Sequence, residues 1–130
     1  MNSNVSINKE IFKDISFSNE EIDIIESVFF REVYKKGTNL LKAGENTDNQ
    51  YYILEGCLRS FYIDPHGREY TVQFGINDWW MSDYTAFFTD SKAVMHIEVL
   101  QDAVVYRFPK QHKEYLYKKI PKIESFFRKK

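Results

Sequence analysis

The stretch Gln50–Gly75, QYYILEGCLRSFYIDPHGREYTVQFG, limits most strongly what this chain can fold into. Tyr51 and Ile53, then Leu58, Ser60 and Tyr62, alternate with Tyr52, Leu54, Arg59, Phe61 and Ile63. Period-two spacing of β-branched and aromatic residues predicts strands. Gly56 interrupts the first run, where a strand must turn or bulge. Asp64-Pro65-His66-Gly67 is a turn: Pro presets φ and Gly accepts φ > 0. Arg68–Phe74 returns as a strand, with Tyr70, Val72 and Phe74 on one face. The stretch reads as a β-meander.

The flanks are helical. Glu10–Ile15 predicts a short helix grouping Ile11, Phe12 and Ile15. Ser18-Asn19-Glu20-Glu21 is a capping box, in which the Ser18 hydroxyl accepts from the Glu21 amide and Glu21 reaches back. The helix that follows is expected over about Asn19–Phe30, with Ile22, Ile25 and Phe29 at helical spacing. After the meander come a turn at Ile76-Asn77-Asp78, the run Trp79-Trp80-Met81, and a short helix within Ser82–Phe88. Met95–Leu100 and Ala103–Phe108 predict two strands joined by Gln101-Asp102. Pro109 suits a helix start. Tyr115, Leu116 and Ile120 give the last segment an apolar face, and Pro121 ends or re-aims it. The expected organisation is residues 1–30 as an N-terminal helical segment that begins polar, 31–108 as a β-roll, and 109–130 as C-terminal helices. The fold class is mainly β with flanking helices, a jelly-roll or double-stranded β-helix.

Composition narrows the function classes. At 130 residues the chain makes one domain, and 17% aromatic residues supply its core. A net charge of −1 argues against a general electrostatic grip on nucleic acid. Cys57, the single cysteine, excludes an internal disulfide and a four-thiolate cluster, and fits a reducing cytoplasm. No apolar run reaches the ~20 residues that span a bilayer, so no membrane partner is expected. His66, His96 and His112 lack metal-ligand spacing, and no nucleophile–base arrangement stands out. Catalytic residues, metal ligands and cofactors are therefore expected to be none. Arg107 to Lys130 holds nine Lys or Arg against two Glu, a local +7. The stripe Ile123, Phe126, Phe127 beside it calls for an apolar partner.

The glycine-punctuated strands resemble the cyclic-nucleotide-binding fold, and more closely the effector domain of the Crp/Fnr transcription regulators. The matching residues are Lys36-Gly37, Leu40–Glu45, Tyr51–Gly56, the hairpin ending in Gly67-Arg68-Glu69, Asn77-Asp78-Trp79 and Ile97–Leu100, across about Arg31–Ile123. The resemblance implies a phosphate cassette, in which a Gly-Glu opens a short helix and holds the ribose while an Arg-Ser pairs with the cyclic phosphate. Here those positions read Ser82-Asp83 and Ala93-Val94. The neighbouring Lys92 lacks the guanidinium fork. Ser82, Asp83, Tyr84, Ala93 and Val94 are thus expected to line a degenerate pocket that does not take cyclic AMP, though an unknown small effector remains open. The resemblance further implies a homodimer through the C-terminal helix. It implies DNA contact only through a helix-turn-helix domain that this chain does not contain. The leading reading is an effector-sensing regulatory domain of a Crp/Fnr-like regulator. The alternatives are a stand-alone β-roll binding module for a small molecule or protein, and a cupin-like enzyme, which the lack of clustered ligands disfavours.

Overall fold

The computed structural model describes residues 7–128. Two short helices, α1 (Ile7–Glu10) and α2 (Asn19–Val28), lead into β1 (Phe30–Tyr34), β2 (Asn39–Leu41), β3 (Asn49–Ile63), β4 (Glu69–Gly75) and β5 (Trp80–Met81). Helix α3 (Tyr84–Thr89) is inserted before β6 (His96–Pro109). A 3-10 turn, α4 (Lys113–Lys119) and α5 (Pro121–Arg128) complete the described chain.

The strands form one six-stranded antiparallel sheet, ordered β1-β6-β3-β4, with β2 also on β6 and β5 also on β3. β3 and β6 are its long spine. The near half of β6 pairs with β2 and the far half of β3; its other half pairs with β1 and the near half of β3. Between the halves the β3–β6 register shifts repeatedly, from Ile53 to Leu58. Such bulges bend a strand without ending it. The breaks expected at Gly56 and at Gln101-Asp102 are therefore bends, and Met95–Leu100 and Ala103–Phe108 belong to one continuous strand. Gly56 sits at this bend with φ +106°, where a Cβ would lie 2.7 Å from the Ala103 Cα and the Asp102 carbonyl.

Alternation along the spine sorts side chains into two cores. Tyr51, Ile53, Leu58, Ile97, Val99, Ala103 and Val105 face the inside of the roll with Leu41, Met81 and Ala93. Tyr52, Tyr106 and Phe108 face the other way, where both helical ends cover them. Ile11, Phe12, Ile25 and Phe29 from the N-terminal end meet Leu116, Ile120 and Ile123 from the C-terminal end.

Local boundaries differ from expectation in places. The first helix is Ile7–Glu10, and Ile11–Ile15 is a turn segment that drops Phe12 into the core. α2 stops at Val28, because Phe29 and Phe30 turn extended to join the sheet. Its capping box is as read: the Ser18 hydroxyl accepts the Glu21 amide at 3.1 Å and Glu21 accepts the Ser18 amide at 2.9 Å. Pro109 ends β6 instead of starting a helix, and Pro121 opens α5. The apolar stripe of α5 is already partnered within the chain. Ile123 is fully buried, Phe126 packs edge-on to Phe12 at 4.9 Å, and Phe127 meets Trp80 at 4.9 Å. Lys129 and Lys130 of the basic tail, and residues 1–6 of the polar start, lie outside the described residues.

Candidate functional site

Met81 and the residues after it leave the roll through Ser82 and Asp83 into α3. The Ser82 hydroxyl donates to the Asn49 carbonyl at 2.8 Å, pinning the exit of β5 to the start of β3. Asp83 caps α3, accepting the Ala86 amide at 3.3 Å. Its other oxygen accepts the amides of Val94 at 2.9 Å and Met95 at 3.3 Å. Asp83 is 3% exposed. One buried carboxylate thus ties the start of α3 to the loop that returns to β6.

The residues expected to line one pocket divide among three environments. Asp83 and the Val94 amide are brought together, but the Val94 side chain is exposed. Ala93 is buried in the roll, and its backbone pairs with Glu45 and Gly44. Tyr84 turns to the helical side of the sheet, donating its hydroxyl to the Gln50 amide oxygen at 3.0 Å. Burial pushes its phenol far above the ordinary value.

The inside of the roll is tightly filled at this end. A Cβ on Gly75 would meet Met81 Sδ at 2.3 Å and Ile53 Cδ1 at 2.9 Å. The cations near the sheet are engaged elsewhere. Arg59 spans the outer face, donating to Glu98 at 2.9 Å, Glu69 at 2.8 Å and Thr71 at 3.1 Å. Arg107 donates to Glu32 at 3.0 Å and Asn49 at 3.3 Å. Lys92 donates to the Asn46 side chain at 2.6 Å. A cyclic phosphate needs a guanidinium fork or free amides, and a ribose needs an open acceptor. Here the Asp83 carboxylate is taken up by backbone amides, and the loop it holds carries Ala93 and Val94.

Open volume lies on the other side of the sheet. A cleft of about 510 Å³ runs between β5, α3, α4 and α5, walled by Trp79, Trp80, Tyr84, Phe88, Tyr117 and Phe127. Met81 is in the roll and Trp80 packs on the helical core, while Trp79 stands exposed at the cleft. Lys113, Tyr117 and Phe88 were not singled out from sequence, since three elements distant in the chain bring them together. Among the described residues, no group of three or more His, Cys, Asp or Glu is placed to hold a metal. No described helix is long and apolar enough to cross a membrane.

A bent two-strand spine, an inserted capped helix and helices from both ends on one face define a β-roll with helical flanks. Residues 31–119 match the cyclic nucleotide-binding domain family, and the chain belongs to that family. Solved structures share the fold. The sensor domain of the transcriptional regulator DNR from Pseudomonas aeruginosa is 16% identical with a TM-score of 0.73, over 92% of this chain and 79% of that one. The N-terminal domain of a transcriptional regulator from Streptomyces coelicolor A3(2) is 14% identical with a TM-score of 0.70, over 89% and 81%. The catabolite activator protein of Thermus thermophilus is 18% identical with a TM-score of 0.69, over 82% of this chain and 49% of that one, so the chain spans about half its length. A search of curated sequences finds no match. The fold is thus shared with these regulator domains.

Proposed function

We propose that this chain is the effector-sensing regulatory domain of a Crp/Fnr-like transcription regulator and that it does not respond to cyclic AMP. One observation carries the second half of this reading. The Asp83 carboxylate, at the position that would hold the ribose, is buried and accepts the Ala86, Val94 and Met95 amides. Freeing the acid would strand those amides, at about 1–3 kcal/mol for each buried donor left unpaired. No guanidinium compensates at Ala93-Val94.

Regulation would act through the helical face. α3 and the loop tied to it by Asp83 lie against the segment that becomes α4 and α5. A shift of α3 would be passed on through Tyr84, Phe87 and Lys110, whose ammonium lies 3.4 Å from the Phe87 carbonyl and pairs with Asp90. Pairing of two copies through α5, as the resemblance implies, would require Phe126 and Phe127 to leave Phe12 and Trp80, or would use the outer face of the helix. DNA contact would belong to a separate helix-turn-helix domain.

Calorimetric titration with cyclic AMP tests the ligand half of the reading. No saturable heat is expected at millimolar nucleotide, and micromolar binding overturns it. A gel-shift assay with the 130-residue chain is expected to be blank. Sequence-specific retention would show that the domain reads DNA itself.

A further inference from the structure

We propose that the aromatic cleft outside the roll is a binding site for a planar aromatic ligand carrying one anionic group. The site is independent of the cyclic nucleotide reading above, because it lies on the opposite side of the sheet. Gln50, which shares the strand face of Tyr52 and not of Tyr51, forms its floor, and the roll interior contributes nothing to it.

Three observations converge on this ligand class. The first is shape and surface. Trp79, Trp80, Tyr84, Phe88, Tyr117 and Phe127 wall a cleft of about 510 Å³, within the ordinary range of roughly 300–1,000 Å³ for small-molecule sites. Their ring faces suit a flat π-system, by stacking or edge contact. Phe88 and Trp79 are 65% and 46% exposed, a large apolar surface to leave in water without a purpose.

The second is charge. Lys113 lies at the cleft with its ammonium 5.0 Å from the Phe88 ring centre and 5.7 Å from that of Phe87. It forms no ion pair among the described residues. Asp90, whose carboxyl feels its charge, gives its oxygen to Lys110. At the other end of the cleft, Asp78 is held by Lys13 and by the Tyr52 hydroxyl. The cleft therefore offers one ammonium, without an ion pair among the described residues, resting on aromatic rings, and an anion entering there would meet it beside apolar walls.

The third is an unmet donor. The Trp80 indole N–H is buried and finds no acceptor among the described residues. Buried donors without partners are rare in folded proteins, and Trp80 itself is one wall of the cleft. The ligand would touch α3, β5, α4 and α5 at once, which places it between the inserted helix and the C-terminal helices.

The test uses the whole chain and two dyes of similar shape. 1-Anilinonaphthalene-8-sulfonate carries the anion and N-phenyl-1-naphthylamine does not. Both are titrated by dye emission and by quenching of Trp79 and Trp80, the only tryptophans in the sequence. The sulfonate is expected to bind at one site per chain. Lys113→Met should weaken it about tenfold, as loss of a charge-assisted contact does, and leave the neutral dye unchanged. Phe88→Ala should weaken both dyes. Phe74→Ser, on the exposed β4 strand, should alter neither. Equal sulfonate affinity in the parent and Lys113→Met proteins overturns the proposal, as does loss of binding only in Phe74→Ser.

Discussion

The Asp83 carboxylate accepts the backbone amide of Val94 at 2.9 Å, eleven residues on, and so closes the α3 segment into a loop latched from inside.

Asp83→Ala removes the acceptor of the Ala86, Val94 and Met95 amides at once. Losing a helix cap and stranding buried amides should lower stability by about 2–4 kcal/mol. Urea denaturation followed by tryptophan emission measures this. An unchanged midpoint would mean that the latch contributes nothing.

An arginine placed at position 93 should not produce nucleotide binding. Ala93 is 4% exposed among Leu41, Tyr51 and Ile97 in the roll. Ala93→Arg would overpack the core or bury an unpaired charge, and is expected to destabilise by more than about 2 kcal/mol. A folded Ala93→Arg protein that binds cyclic AMP in calorimetry would contradict both the packing and the role given to Asp83.

Gly56→Ala tests the bend of the spine. The left-handed φ of +106° and backbone atoms 2.7 Å from the added Cβ leave no cheap adjustment. A loss of about 2 kcal/mol or more is expected, with a lower thermal midpoint. Gly67→Ala, at a turn with φ +81° and open space around it, should cost less.

Phe127→Ala separates an internal from an intermolecular role for the α5 stripe. The ring touches Trp80, Phe108, Tyr117 and Phe126 of its own chain. Its removal should cost about 2–4 kcal/mol. If the stripe serves only this chain, the loss is independent of protein concentration. A midpoint that rises with concentration in the parent and not in Phe127→Ala would instead show a dimer contact.

Alkaline pH should unfold the protein through its tyrosines. Burial pushes Tyr51 and Tyr117 up to about 12. Burial, then the nearby acids Glu32, Asp78 and Glu10, raises Tyr34, Tyr52 and Tyr106 further. A raised phenol means that the folded state holds its proton where the unfolded chain has lost it. The stabilising contribution is therefore complete below about pH 10 and is lost as pH climbs toward the folded values. Absorbance at the phenolate band, read with far-ultraviolet dichroism, should show these tyrosines ionising together with unfolding. Separate ionisation near pH 10 in a folded protein would refute the burial argument.

By itself the sequence determined the class of fold. Alternation through Tyr51–Ile63, the Asp64–Gly67 turn and the Ser18–Glu21 box are local signals. Their physics, side-chain periodicity and backbone freedom, acts over a few residues, and the strands and caps form where those signals stand. The family resemblance rests on the same short-range glycine turns. Tertiary structure decided what local signals cannot encode. Whether Gly56 and Gln101-Asp102 end strands or bend them depends on β3 and β6 pairing with each other across more than forty residues. Whether Ile123, Phe126 and Phe127 seek another molecule depends on the fold bringing Phe12, from the other end of the chain, and Trp80, from β5, against them. Asp83 stands near a helix start in the sequence and becomes a latch only when the chain returns with Val94. The aromatic cleft has no sequence signature, because its walls and its lone lysine come from separate elements that meet only when α3, α4 and α5 gather over one face of the sheet.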